Sequence, residues 1–518
     1  MTGNPAFYIT TPIYYVNDIP HIGHAYTTLA CDVLARFKRL DGYNVMFLTG
    51  TDEHGQKVEK SADKAGIPPQ EFCDNVSQRF RHLAEVMNFS NNDFIRTTED
   101  RHKKACQALW QKLVDNGNIY LDKYAGWYSV RDEAFYGEGE LIEGEGGEKL
   151  APTGAPVEWV EEESYFFRLS AWQDKLLELY ENTPDVVLPK SRLNEVKSFV
   201  SGGLRDLSVS RTSFKWGVPV PGNDKHIMYV WIDALTNYLT ALGYPDMDAA
   251  DYQTFWPASV HMVGKDILRF HAVYWPAFLM AADLPVPQRV FAHGWWTNEG
   301  QKISKSLGNV IDPLEIVDEF GLDQVRYFLL REVPFGKDGD FSRASMIARI
   351  NSDLANDLGN LAQRSLSMVF KNCDAAFPTP AELSDADKEI LGAADNLLEV
   401  VRARMDRQEF HLALEAIWKV VSDANGYFAA QEPWALKKTD PERMGTVLYV
   451  TAEVIRNVSL LIQAVMPESA AKLLNLLNVP ADQRDFTALG EAVRIKPGTA
   501  LEKPEGIFPR YTAPEDAT

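Results

Sequence analysis

Phe7-Tyr8-Ile9-Thr10 reads as a short buried strand, and Val45-Met46-Phe47-Leu48, running into Thr49-Gly50-Thr51-Asp52-Glu53-His54-Gly55, as a second. Between them a turn-rich loop through Asn17-Asp18-Ile19-Pro20 leads into Leu29, Val33, Leu34, Phe37 and Leu40, which fall at helical spacing over residues 24–40. Strand, loop, helix and strand within about forty residues is the βαβ unit of a parallel sheet. The unit returns downstream. Ser259-Val260-His261-Met262-Val263 precedes Gly264-Lys265-Asp266, an apolar helix reaches Met280, and Gln288-Arg289-Val290-Phe291-Ala292 is another strand. Residues 294–300 then form a hairpin-like lead into Lys302-Ile303-Ser304-Lys305-Ser306. Ligands collect at the carboxyl ends of the strands in open parallel sheets, and each of these polar clusters follows a predicted strand.

Outward from this core the texture changes twice. Residues 117–226, with a Glu- and Gly-rich stretch at 137–147, read as an inserted mixed domain. After about Phe341 the chain turns helical, with Leu354, Leu358 and Leu361 at i, i+4, i+7. Further helices through 385–405, 409–430 and 441–465 predict an antiparallel bundle, and the tail beyond about Pro480 is irregular. The expected fold class is α/β: a parallel sheet split by an inserted mixed α+β domain and followed by an all-α bundle.

The 518 residues exceed one compact core and suit about three domains. With 45% hydrophobic and 24% charged residues the composition is that of a soluble globular protein. No apolar run approaching the roughly 20 residues needed to cross a bilayer is evident, so no membrane partner is expected. The start, Met1-Thr2-Gly3-Asn4-Pro5-Ala6, has no basic leader, which makes the cytoplasm the expected location. A net charge of −21 argues against nucleic-acid binding driven by counterion release, leaving recognition by shape, stacking and base edges. Cys31, Cys73, Cys106 and Cys373 show no C-x-x-C spacing, which predicts neither a disulfide framework nor a thiolate metal site.

Two short runs carry the chemistry. His21 and His24, spaced i, i+3 at a helix start, face the same way, at a terminus that favours anions. Gly23 between them lets a flat base approach the backbone with no Cβ in the way. Lys302 and Lys305 offer two mobile ammonium groups to a departing pyrophosphate. Alone, a histidine pair is more often structural and a lysine-rich turn more often solvated. Together, each following a strand, they point to chemistry on ATP.

At these residues the chain resembles the class I aminoacyl-tRNA synthetases, whose signatures H-x-G-H and K-M-S-K-S sit on a split Rossmann-type fold. Ile303 stands where the second signature usually has methionine and keeps an apolar anchor. The resemblance covers nearly the whole chain and is most specific for the methionine enzymes. It is carried by Thr11-Pro12-Ile13-Tyr14-Tyr15-Val16-Asn17, by Gly50 through Gly55, by Tyr229-Val230-Trp231-Ile232-Asp233-Ala234, and by Gly264 through His271 and Trp275.

The resemblance implies two steps. Methionine's carboxylate attacks the α-phosphorus of ATP, accompanied by Mg2+, and a tRNA hydroxyl then attacks the adenylate. Neither step needs a protein nucleophile, so catalysis rests on positioning and on donors aimed at developing charge. His21, His24, Lys302 and Lys305 are the implied catalytic residues, and Gly23, Gly264, Asp266 and Ile303 join them at ATP. Asp52 would pair with the methionine ammonium, Tyr15 and His271 would approach the thioether, and Ile13, Trp231, Ala234, Leu235, Tyr238, Ile267 and Trp275 would wall it. Asn356, Asn360, Arg364 and Trp434 match anticodon-reading positions for a tRNA(Met) with a CAU anticodon.

The implied division is a first catalytic half at 1–116, a connective insert at 117–226, and a second half at 227–300. A signature-loop and stem-contact region at 301–345, an anticodon domain at 346–480 and a tail packing back at 481–518 follow. Relatives carry cysteine knuckles for zinc in the insert; here Ser129 and Asp132 stand near one cysteine pair and a second is lost around 151–154, so no zinc is expected. A monomer is expected. The competing readings are a synthetase for another apolar amino acid and a small-substrate nucleotidyltransferase. The first would carry a larger insert for editing; the second would need no helical C-terminal region.

Overall fold

The computed structural model describes residues 3–16, 19–132, 134–144, 146–303 and 309–512. Strand β1 (Ala6–Thr10) enters a seven-stranded sheet in which every pairing is parallel. After a break at residues 11–13 the chain rejoins as β2 (Tyr14–Tyr15), beside the far end of β3 (Asn44–Asp52). β4 (Asp93–Arg96) lies on the other side of β3. Beyond β1 the sheet continues through Val260–Gly264, Val290–His293 and Val187–Leu188.

β3 is longer than the four apolar residues that announced it, because Thr49 to Asp52 stay paired with β4 and β2. Gly50 belongs to that close approach, since a Cβ there would meet the Ile95 carbonyl oxygen at 2.0 Å. Helix α1 (Ile22–Leu40) crosses the sheet with Tyr26, Leu29, Val33, Leu34 and Phe37 buried. The apolar run after Gly264 is not one regular helix. It begins as a tight turn at Lys265–Ile267, widens into a π turn at Phe270–Tyr274 and becomes α-helical at Trp275–Ala281.

The long antiparallel pair Ile119–Ser129 and Glu158–Phe167 anchors a four-stranded sheet in the insert. The same segment of chain also returns Val187–Leu188 to the edge of the main sheet. In the helical region Leu354, Leu358 and Leu361 are buried, although Ile350–Gly359 is wound as a π-helix before Asn360–Asn372 continues as α.

Pro441–Ile462 is the axis of this region, packed by Asp385–Asp395, Phe410–Gln431, Pro433–Thr439, Asn360–Asn372 and Pro467–Leu476. It corrects the expectation that no apolar run reaches membrane-crossing length. At 22 residues with mean hydropathy 1.3 over its apolar window it does, yet that window is wholly buried, so it is a core helix. The C-terminal stretch folds back: Phe377 N donates to Thr499 O at 2.9 Å, and Tyr511 N to Asn351 Oδ1 at 2.8 Å.

Candidate active site

His21 is the N-cap of α1, and the two signature histidines close that cap reciprocally. Gly23 N donates to His21 Nδ1 at 3.1 Å, and His21 N donates to His24 Nδ1 at 3.1 Å. A ring nitrogen that accepts a backbone N–H carries no proton, so each neutral ring keeps its proton on Nε2, away from the cap. Burial, reinforced by the neighbouring His21 ring, pushes His24 well below the usual histidine range. The rings lie 3.9 Å apart, and the first turn carries no acidic side chain, so the terminus keeps its attraction for an anion. Tyr14 and Phe80 pack edge-on against His24 at 4.8 and 5.2 Å.

Two contacts bring the downstream half to this terminus. Ile22 N donates to Ile311 O at 3.2 Å, and Thr27 Oγ1 lies 2.8 Å from His293 Nε2. The hairpin Trp296–Asn298/Gln301–Lys302 turns through Glu299 and Gly300, both with positive φ, and places Lys302 on its returning strand. Ile303 packs, partly buried, against the main core. Lys305 lies outside the described residues.

Beside the hairpin, Asp266 Oδ1 accepts from Trp295 Nε1 at 3.1 Å, and the Lys265 ammonium sits 4.3 Å over the Trp295 ring. A Cβ at Gly264 would lie 2.5 Å from Asp266 Oδ1, so a larger residue there would turn the Asp266 carboxylate away from this position.

The proposed methionine residues fall into two groups. Tyr238, His271, Trp275 and Trp231 form one aromatic cluster, Ile13 and Ile267 pack on the core that holds Tyr238 and Trp275, and Ala234 and Leu235 are buried on the helix that carries Trp231 and Tyr238. His271 Nδ1 faces the Ile267 carbonyl at 3.0 Å and so donates to it, which leaves Nε2 to accept from Tyr238 Oη at 2.7 Å. Burial drives His271 down to about 4, so the cluster is uncharged at neutral pH.

Sequence reasoning missed His261. Its Nε2 accepts from Trp275 Nε1 at 3.3 Å while its Nδ1 faces Thr10 Oγ1 at 2.8 Å, tying the cluster to β1. A histidine inside an apolar strand was the available signal. Trp231 stacks on Phe270 at 3.5 Å and 7°. Asp52 and Tyr15 form the second group, register partners at the end of β3, with Tyr15 packed toward Val16, Val58 and Cys73.

Asn356, Asn360, Arg364 and Trp434 are all exposed, far along the chain from the sheet. Arg364 lies 5.5 Å from the Trp434 ring and Phe428 6.0 Å from it, and Trp434 is 44% exposed, so part of the ring faces solvent. In the insert, where the resemblance implies a lost zinc knuckle, Asp132 is a hydrogen-bond hub. It accepts from Tyr136 Oη at 3.0 Å, from Thr153 Oγ1 and from Arg131, while its own N–H donates to Ser129 Oγ at 3.2 Å.

Residues 7–366 match the family model described as tRNA synthetases class I (M), and residues 377–517 that of the anticodon binding domain of methionyl tRNA ligase. The chain is similar to the methionine–tRNA ligase of Brucella suis biovar 1 (strain 1330), 61% identical over 510 residues that span 98% of this chain and 99% of that protein. It is 60% identical over 515 residues to that of Rhizobium meliloti (strain 1021), spanning 99% and 100%. A solved Mycobacterium tuberculosis methionyl-tRNA synthetase in complex with methionyl-adenylate aligns at a TM-score of 0.95 and 56% identity, covering 98% of this chain and all of that one. With both halves matched by family models and its whole length by such relatives, the chain belongs to the methionine–tRNA ligase family of class I tRNA synthetases.

Proposed function

We propose that the activation of methionine by ATP and its transfer to tRNA(Met), the reaction of this family, is divided among the residues as follows. His21 and His24 donate from Nε2 to the phosphates, Lys302 and Lys305 neutralise the departing pyrophosphate, and Gly23, Gly264, Asp266 and Ile303 shape the nucleotide site. Asp52 pairs with the methionine ammonium. Tyr15, His271, Ile13, Trp231, Ala234, Leu235, Tyr238, Ile267 and Trp275 hold the side chain. Asn356, Asn360, Arg364 and Trp434 read the CAU anticodon. The observation that carries this reading is the reciprocal histidine cap, which points two neutral N–H donors away from a helix start at the carboxyl edge of a parallel sheet.

The boundaries 1–116, 117–226, 227–300, 301–345, 346–480 and 481–518 are proposed as the functional divisions. Mg2+ accompanies ATP as part of the substrate. Zinc is not required, because the Asp132 hub supplies the cross-links that a knuckle would otherwise draw from a metal. A monomer in the cytoplasm is proposed, consistent with the full burial of the long apolar helix.

ATP–pyrophosphate exchange tested across the apolar amino acids decides the substrate. Exchange that depends on methionine supports the assignment, and exchange with another amino acid at comparable efficiency sinks it. Metal analysis and light scattering on the same preparation test the remaining points. Stoichiometric zinc, or a mass near twice 58.3 kDa, would overturn them.

A further inference from the structure

The helix Val230–Thr240 has two working faces. Trp231, Ala234, Leu235 and Tyr238, at i, i+3, i+4, i+7, line the proposed methionine pocket. Asp233 and Thr240, seven residues apart on the opposite side, face a buried histidine pair. Asp233 Oδ2 accepts from His54 Nδ1 at 2.6 Å, and Asp233 Oδ1 accepts from His102 Nε2 at 2.7 Å. The other nitrogen of His102 lies 3.1 Å from Thr240 Oγ1, so one imidazole is gripped at both ends by one helix. His54 follows Asp52 by two residues at the end of β3, and His102 belongs to the helix Asp100–Asp115. Asp233 and His102 are fully buried and His54 nearly so.

A carboxylate in such a place is costly unless its partners stay in register. Burial pushes the Asp233 carboxyl up, but the His54 charge and the hydrogen bonds from both histidines outweigh it and hold Asp233 below the usual carboxylate range. The Cys106 thiol, pushed up by burial, sits 3.2 Å from His102 Nε2 and completes the enclosure.

We infer that Asp233, clamped by His54 and His102, is a positioning residue of the methionine site, which sets the pocket wall of Val230–Thr240 against the strand end that carries Asp52. The inference rests on the reading that these residues bind methionine. The clamp touches no substrate atom; it fixes the distance between the group that holds the ammonium and the wall that holds the thioether. Its loss therefore weakens methionine binding selectively, while the nucleotide half of the site keeps its own supports.

The test is ATP–pyrophosphate exchange on the full-length enzyme, with KM for methionine and for ATP measured separately. Asp233→Asn and His102→Leu are expected to raise the methionine KM about ten-fold or more while the ATP KM stays within about two-fold. His102→Gln, which keeps an N–H donor near the Nε2 position, and His54→Asn, which keeps one near Nδ1, are expected to stay within about three-fold of the parent.

Should Asp233→Asn fail to fold, Thr240→Val removes the far hydrogen bond, along with the local one from Thr240 Oγ1 to Thr236 O, and is expected to raise the methionine KM by an intermediate factor. Tyr238→Ala separates the pocket from the clamp behind it. If it raises the methionine KM while Asp233→Asn and His102→Leu do not, the clamp is structural only and the inference is wrong. If Tyr238→Ala leaves the methionine KM unchanged, the pocket reading fails and this inference falls with it. Equal rises in both KM values across the clamp variants would also overturn it.

Discussion

A histidine can cap a helix only through a ring nitrogen without a proton, and that requirement sets what His21 and His24 can offer a phosphate. His24→Asn keeps an acceptor for His21 N but has no counterpart to Nε2–H. It is expected to melt near the parent temperature while losing about 10²–10³-fold in pyrophosphate exchange. Gly23→Ala tests the cap itself, because the added Cβ would meet His21 Cε1 at 2.9 Å. The ring has to shift against its cap hydrogen bond, with an expected cost of about 1 kcal/mol in stability and about ten-fold in exchange, read from melting and kinetics. The histidine spacing was legible in the sequence, but the contact between Gly23 and the His21 ring was not. Gly23 reads as room for a base, and the His21 ring packed beside it is a neighbour that no spacing announces. His261 was hidden for a related reason: its partner Thr10 is 251 residues away, and strand periodicity says nothing about which strand will lie alongside.

At the level of elements, the helices Phe410–Gln431 and Pro433–Thr439 are joined by a single left-handed residue, Glu432, at φ 45°. This sharp turn delivers Trp434 to the surface on the second position of a new helix. The side chain is 44% exposed and rests on Phe428 and Arg364, so Trp434→Ala is expected to cost no more than about 1 kcal/mol in stability. Charging of tRNA(Met) is expected to drop about ten-fold or more while pyrophosphate exchange stays unchanged, which separates anticodon reading from chemistry. The bundle also contains an acid-sensitive junction. Asp387 accepts from Arg443 at 2.5 and 2.8 Å and from Tyr427 Oη at 2.6 Å, joining three helices. Burial raises this carboxyl, but Arg443, Tyr427 and Ser384 together bring it from 3.8 down to about 2. Its contribution is therefore complete above about pH 4 and disappears as pH falls toward about 2. Acid melts are expected to show that loss in the parent and a flatter profile over the same window in Asp387→Asn. Helix positions were readable from leucine spacing, but the π winding over Ile350–Gly359 was not, because the buried face repeats almost as well in either form.

Across the whole molecule, the catalytic sheet and the helical region are joined through Arg326. Its guanidinium is fully buried and donates to Asp32 Oδ2 at 2.6 Å, Met87 O at 3.0 Å, Ala464 O at 3.1 Å and Val465 O at 2.7 Å. Arg326→Met leaves the buried Asp32 carboxylate with Arg36 and Ser90 alone and takes the donor from three backbone carbonyls, and is expected to cost about 3–5 kcal/mol, seen as a lowered melting temperature. Adding Asp32→Asn is expected to restore part of it, and no recovery would show that the carbonyl contacts carry the junction. The parallel sheet, the insert and the bundle could be foreseen because each announces itself in local periodicity. The junction could not, since Asp32 and Arg326 are 294 residues apart and look like ordinary surface charges on their own helices. The buried axis Pro441–Ile462 has a further consequence for how the protein is made. As the chain leaves the ribosome, this segment emerges only after Asp385–Asp395 and Phe410–Gln431, two of the helices that cover it, have been synthesised. The order of synthesis gives a stretch long and apolar enough to cross a membrane a waiting berth, so a rearranged gene that translated it first would expose it to chaperones and to the membrane-insertion machinery before any shelter existed.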